Sequence, residues 1–305
     1  MSDRHRSGIL PVEKGPGVTS FQVVAHLRRI LRAQRIGHGG TLDPAATGVL
    51  PILIGEATKL TPYLVDLDKE YVATVRLGVT TETQDLSGAV LETRPVPPLD
   101  ADAIEAALPP FVGVIRQVPP MFSALRRGGK RLHELARQGV EVEREPREVT
   151  IHSIRLVSVS LPDFVIHVRC GKGTYVRTLA ADLGSVLGCG ATLAGLVRTR
   201  VGPYTLETAV SWDEVRLARA GEALWARLLP PDSALAGLVA VRLDPDGARA
   251  FAHGQAVGAG ARVMGWVRVY GPDDALLGVG QGLGDRVKPE RLLHADPQGS
   301  SVLPA

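Results

Sequence analysis

Apolar residues recur at Val24, Leu27 and Leu31, a helical spacing that predicts an amphipathic helix over Thr19 to Ala33. Thr19 followed by Gln22 suits a capping box at its start. The other side is basic, since Arg28, Arg32 and Arg35 share one face. From Tyr71 to Leu77 the pattern becomes strict alternation, with Tyr71, Ala73, Val75 and Leu77 opposed to Val72, Thr74 and Arg76, which predicts a strand. Thr80 to Gly88 reads as a polar loop. Asp100 to Leu108 reads as a short helix, started by Asp100 and stopped by Pro109 and Pro110. Val149 to Leu161 and Phe164 to Cys170 read as two strands joined at Pro162-Asp163. Thr174 is placed to cap a helix whose inward residues are Val176, Leu179, Ala180, Leu183, Val186 and Leu187, ended by Gly188. Beyond Pro230 and Pro231, short β-rich stretches from Arg262 to Tyr270 and from Ala275 to Val279 flank a Gly271-Pro272-Asp273-Asp274 turn. They predict a small appended β-barrel, followed by a loose tail over 297–305.

Between the first helix and an apolar run of Val49, Leu50, Ile52, Leu53 and Ile54 lies GHGGTLDP, Gly37 to Pro44. It puts one carboxylate, Asp43, on a glycine-rich turn beside a cationic helix. Two readings fit. Asp-Pro is a common turn and helix start. Alternatively, the glycines let the backbone approach a ligand closely, His38 lies beside that ligand, and Asp43 reacts with it. Spacing alone does not choose between them.

Composition narrows the chemistry. A chain of 305 residues can hold two domains. The net charge is only +3, so clustering matters more than the total. Arg126, Arg127, Lys130, Arg131 and Arg137 gather with Gly128 and Gly129 in an insertion over 116–147, ahead of Glu134, Glu141, Glu143 and Glu145. A solvated face with internal ion pairs is one account of it. A basic flap that closes over a polyanion fits the clustering better. Cys170 and Cys189 form no CxxC or zinc-site spacing, and two buried thiols are expected. No phosphate loop, zinc-hydrolase or serine-elbow motif is present in the sequence, and no run approaches a membrane span. A cytoplasmic location is expected from the polar, charged start of the chain. Arg177, in the first turn of its helix, is unfavourable beside the positive helix end unless an anion is near, and Asp43 is a candidate for that anion.

Three long stretches then match a family in the same order. GHGGTLDPAATGVLPI around Asp43, DKEYVATVRLGVTTETQD around Tyr71 and CGKGTYVRTLAADLG around Arg177 resemble the motifs of bacterial tRNA pseudouridine synthases of the TruB family. Pro119 to Gly139 resembles that family's RNA-gripping insertion. Leu277 to Gly280 and Val287 to Leu293 resemble, more weakly, a PUA RNA-binding domain. The resemblance implies an α+β pseudouridine synthase fold over 8–235, with a mixed, mainly antiparallel sheet flanked by helices and loops, and a PUA-like barrel over 237–296. It implies conversion of the T-loop uridine at tRNA position 55 to pseudouridine, with no metal or other cofactor, no obligatory protein partner and a monomeric enzyme. By position, Asp43 becomes the nucleophile, Tyr71 the tyrosine stacking on the flipped base, and Arg177 the partner that keeps Asp43 ionised. His38 matches a histidine that displaces the base. Lys14, Tyr175 and Leu196 fall on pocket or support positions, and Arg126, Arg127, Lys130 and Arg131 suit phosphates. Gly39, an additional glycine, and Gly171, where serine is frequent, depart from the family pattern. Two other functions share these features: an RNA chaperone that opens and refolds the tRNA elbow, and a guide-RNA-dependent, dyskerin-like synthase.

Overall fold

The computed structural model describes residues 6–293 apart from 124 and 219, so the expected tail over 297–305 lies outside the described residues. In chain order the elements are β1 (Gly8–Lys14), α1 (Ser20–Leu31), β2 (Ile36–His38), β3 (Thr47–Ile54), α2 (Thr61–Asp66), β4 (Lys69–Leu77), β5 (Val79–Thr81) and β6 (Val90–Thr93). Next come α3 (Ala101–Ala106), β7 (Gly113–Gln117), β8 (Arg126–Arg127), β9 (Lys130–Arg131), α4 (Leu132–Ala136), β10 (Arg147–Ser160), β11 (Asp163–Cys170), α5 (Val176–Val186) and β12 (Ala191–Val201). The rest is β13 (Tyr204–Thr205), β14 (Val210–Ser211), α6 (Trp212–Leu217), α7 (Glu222–Trp225), β15 (Val239–Arg242), α8 (Pro245–Ala252), β16 (Val257–Tyr270) and β17 (Leu276–Leu292). No helix among them is long and apolar enough to cross a membrane.

Two compact units form. One holds the chain through Asp43, then Val49–Val65 and everything from Gly202 onward; the other holds Pro44–Gly48 and Asp66–Val201. In the first, α1 starts as its sequence predicts: Gln22 N–H donates to Thr19 Oγ1 at 3.1 Å and Thr19 N–H donates to Gln22 Oε1 at 2.8 Å. Val23, Val24, Leu27 and Leu31 are its buried stripe, and the helix closes at Arg32, which adopts a left-handed conformation. The strands β14, β1 and β3 lie side by side, and β2 runs antiparallel to β3.

The second unit is built on five antiparallel strands in the order β12-β4-β11-β10-β7. Alternation in β4 puts Lys69, Tyr71, Ala73, Val75 and Leu77 on the buried side, with Phe164, Ile166 and Val168 of β11. Helix α5 covers this face through Val176, Leu179, Ala180 and Leu183. Each fully buried side chain of this kind contributes roughly 1.5–3 kcal/mol. The expected polar loop after β4 is partly strand, because β5 pairs with β6.

Three local expectations change at α5 and in the C-terminal segment. Val186 is exposed, while Leu187 one position later packs against the core. Thr174 does not cap: its hydroxyl donates to Gly171 O at 3.2 Å, and Tyr175 is the N-cap without a side-chain bond. The two C-terminal strands are far longer than their β-rich cores. Strand β17 folds back so that Leu293 N–H donates to Leu277 O at 2.9 Å. With β15 and α8 they wrap a separate core of Val241, Leu243, Phe251, Val257, Val267, Val269 and Val287. Gly271 N–H to Ala275 O, at 3.0 Å, closes the predicted turn.

Candidate functional site

The site residues expected from sequence divide between the units: Lys14, His38 and Asp43 in the first, Tyr71, Tyr175, Arg177, Leu196 and the basic cluster in the second.

Asp43 is half-buried on irregular backbone. No helix starts at Pro44, which sits in a bend before β3, so of the turn and the helix start that Asp43-Pro44 allows, the helix start does not form. The loop ahead of it is tightly held. His38 pairs with Ile52 in the β2-β3 ladder, and Gly39 N–H donates to Pro51 O at 2.9 Å. A Cβ at Gly39 would collide with the Leu64 side chain, whereas at Gly37 it would meet open space. Of these two glycines, then, only Gly37 leaves the room expected for a ligand; Gly39 serves packing. The fully buried Lys14 donates to Val18 O at 2.7 Å and Gly15 O at 2.9 Å, which fixes the turn leading into α1.

In the second unit, Pro44–Gly48 continues directly from Asp43. Gly48, at a φ of 105°, lies opposite Arg198, and Arg198 in turn lies opposite Tyr71 in the β12-β4 ladder. A side chain at Gly48 would meet the Arg198 backbone, so only glycine fits there. Tyr71 is 9% exposed, and Leu196, paired with Ala73, packs against the same core. Tyr175 is held by a residue that sequence reading passed over. Gln117, at the end of β7, accepts from Tyr175 N–H at 3.0 Å and donates to Tyr175 O at 3.3 Å.

Arg177 is buried, and an anion does lie near it. Asp85 Oδ2 is 3.9 Å from its Nε, while its two terminal nitrogens donate to Thr83 O at 2.9 Å and Phe122 O at 2.8 Å. Asp85 is itself oriented, accepting from Thr83 Oγ1 at 2.7 Å and Ser87 N–H at 2.9 Å. The sequence signal for Asp85 was no more than its place in the TTETQD stretch. Lys69 is a buried cation that sequence reading also passed over. Burial pushes its ammonium down to about 8, and the Arg198 charge adds to the shift. Burial also pushes the Cys170 thiol up to about 11, and both cysteines are free and buried as expected.

The basic cluster forms a hairpin, β8 with β9, on which Arg126, Arg127, Lys130 and Arg131 are all exposed. Its roots are fixed by His133 Nδ1 against Ser123 O at 3.0 Å and by Arg144 donating to Pro119 O at 3.2 Å. A cavity of about 360 Å³ beside it is lined by Arg126, Arg127 and Arg144 together with Glu143 and Glu145. Helix α1 ends at Leu31 and the chain turns left-handed at Arg32, so Arg28, Arg32 and Arg35 do not share the helical face their spacing predicts. Arg35 pairs with Glu56 at 2.6 Å, and Arg28 reaches Ile36 O at 3.4 Å.

Comparison with known proteins settles the family. The chain matches the TruB family pseudouridylate synthase N-terminal domain over residues 28–176. It matches the tRNA pseudouridylate synthase B C-terminal domain over 177–236 and the pseudouridine synthase II TruB C-terminal domain over 240–293. It is 49% identical to tRNA pseudouridine synthase B of Burkholderia mallei, over 96% of this chain and 99% of that one. The chain belongs to the TruB family. A Cupriavidus metallidurans protein of the same description is 46% identical over 94% of both chains. Among solved structures, a chain of a Cbf5-Nop10-Gar1 complex superposes with a TM-score of 0.72 at 26% identity, covering 93% of this chain and 84% of that one. TruB membership makes the protein a pseudouridine synthase, an isomerase, and agrees with the α+β architecture and antiparallel sheet.

Proposed function

We propose that this TruB-family enzyme converts the T-loop uridine of tRNA, position 55, to pseudouridine, acting alone, as a monomer, in the cytoplasm and without a metal or other cofactor. The observation that carries the reading is the presence of Asp43, Tyr71 and Arg177, each in its own motif, in a chain matched over nearly its whole length by tRNA pseudouridine synthase B. The target uridine is stacked inside a folded loop and must be turned out, at a cost of a few kcal/mol. His38 takes the place of the displaced base, and Tyr71 stacks on it. Asp43 is the nucleophile while the base leaves the ribose through nitrogen and returns through carbon. That role needs an ionised carboxylate in a site largely emptied of water, a form burial alone disfavours, and the Arg177 charge offsets this. Lys14 braces the first helix; Tyr175 and Leu196 line the pocket. Arg126, Arg127, Lys130 and Arg131 hold phosphates. The separate apolar core over 241–287 supports reading 237–296 as an RNA-binding module beside a catalytic domain over 8–235.

A guide-dependent enzyme is the competing reading, favoured by the likeness to Cbf5 in its multiprotein complexes. The exposed basic hairpin favours an enzyme that grips tRNA itself. Pseudouridine mapped at nucleotide resolution on an unmodified tRNA transcript, with no guide or partner added, separates them. Modification at the T-loop uridine supports the proposal. No modification until a guide RNA is supplied, or modification elsewhere only, rejects it.

A further inference from the structure

Ser20 is the first residue of α1 and only 3% exposed. Its hydroxyl makes two bonds to one residue 22 positions away: it accepts from Leu42 N–H at 2.9 Å and donates to Leu42 O at 3.1 Å. Leu42 is itself buried, so neither of these backbone groups has water as a substitute. The Leu42 carbonyl belongs to the peptide plane that carries the Asp43 nitrogen. Holding both the N–H and the C=O of Leu42 therefore fixes the planes on either side of that residue, and with them the point from which the Asp43 side chain departs. The anchor is rigid in turn. Ser20 sits inside the capping box that Thr19 and Gln22 form, and Val18 just before the box is held by the buried Lys14.

We propose that Ser20 is a positioning residue of the isomerisation, acting through Leu42 to set the Asp43 carboxylate. Asp43 lies on irregular backbone, where no helix or strand of its own would hold it, so a side-chain clamp one residue upstream supplies the constraint. A methionine or valine at position 20 would satisfy the apolar surroundings of α1 but not the two backbone groups. The proposal rests on Asp43 being the reacting carboxylate.

The test compares wild type with Ser20→Ala, Ser20→Thr and Ser20→Cys. Single-turnover rate constants for pseudouridine formation at saturating tRNA transcript are measured beside tRNA affinity by filter binding and folding by circular dichroism. Small misplacements of a reacting group cost up to about 100-fold in rate. Ser20→Ala is expected to lose roughly 10- to 100-fold in the rate constant while tRNA affinity stays within about two-fold, and Ser20→Thr, which keeps the hydroxyl, to recover most of it. A folded Ser20→Ala protein with an unchanged rate constant overturns the proposal. So does affinity falling in step with rate, or a threonine variant as slow as alanine. If Ser20→Ala does not fold, Ser20→Cys, close in size and a weaker hydrogen-bonding group, is read in its place with the same criteria. Full activity of Asp43→Asn would instead remove the reading on which Ser20 depends, and is distinguishable because it leaves the wild-type tRNA chemistry in place.

Discussion

The cations inside this molecule and those on its hairpin are built for opposite purposes. Lys14, Lys69, Arg177 and Arg198 are each no more than 7% exposed. The first three donate to backbone carbonyls, and Arg177 also faces Asp85. Arg126, Arg127, Lys130 and Arg131 are all exposed on a two-strand ribbon. A buried charge must be compensated by hydrogen bonds and partners, so it acts as a fixed strut. A solvated one costs little to leave unpaired and remains available to a polyanion. The same residue types thus shape the interior in one place and offer grip in the other, and net charge alone reveals neither.

The larger expected effect lies on the hairpin. Replacing Arg126, Arg127, Lys130 and Arg131 together by alanine should raise the KM for tRNA roughly 10- to 100-fold near 0.1 M salt and flatten the salt dependence of binding, since each lost phosphate contact removes about one counterion-release unit. The turnover number and thermal midpoint should hold. A fall in turnover with unchanged KM would erase the distinction between the two sets of cations. The smaller effect lies inside, at Lys69, and appears as pH dependence. Its folded pKa of about 8 is below the ordinary 10.5, so between those values the unfolded chain holds more protons and stability rises with pH. Below about 8 the penalty is present in full. Urea unfolding of wild type should therefore show a gain on the order of 1–2 kcal/mol from about pH 7.5 to 9.5 that Lys69→Met lacks. Equal slopes in the two proteins would mean that Lys69 is not a strained interior cation.

What could be read from sequence was local. The Thr19 and Gln22 box and the alternation through Tyr71 depend on neighbours a few residues apart, and both form as expected. The contacts that hold the site are long-range. Nothing local singles out Ser20, whose partner is Leu42, and Asp85 reads as a loop acid because its partner is Arg177. Gly39 suggests room for a ligand, but the Leu64 side chain fills that space. Thr174 had the chemistry of a cap, but the chain reaches α5 one residue later, with Gln117 holding Tyr175 instead. Glycines at Gly278, Gly280, Gly282 and Gly284 dilute the alternation that would have revealed the length of β17.

The proposed role of Asp43 is to perform the chemistry rather than to support the loop that carries it. Asp43→Asn keeps the size of the side chain and removes its charge. Assayed on a T-loop transcript with pseudouridine quantified at the target uridine, this variant should form no detectable product while binding the RNA within about three-fold of wild type, because binding rests on contacts elsewhere. Product formation by Asp43→Asn at the wild-type rate would contradict that role outright.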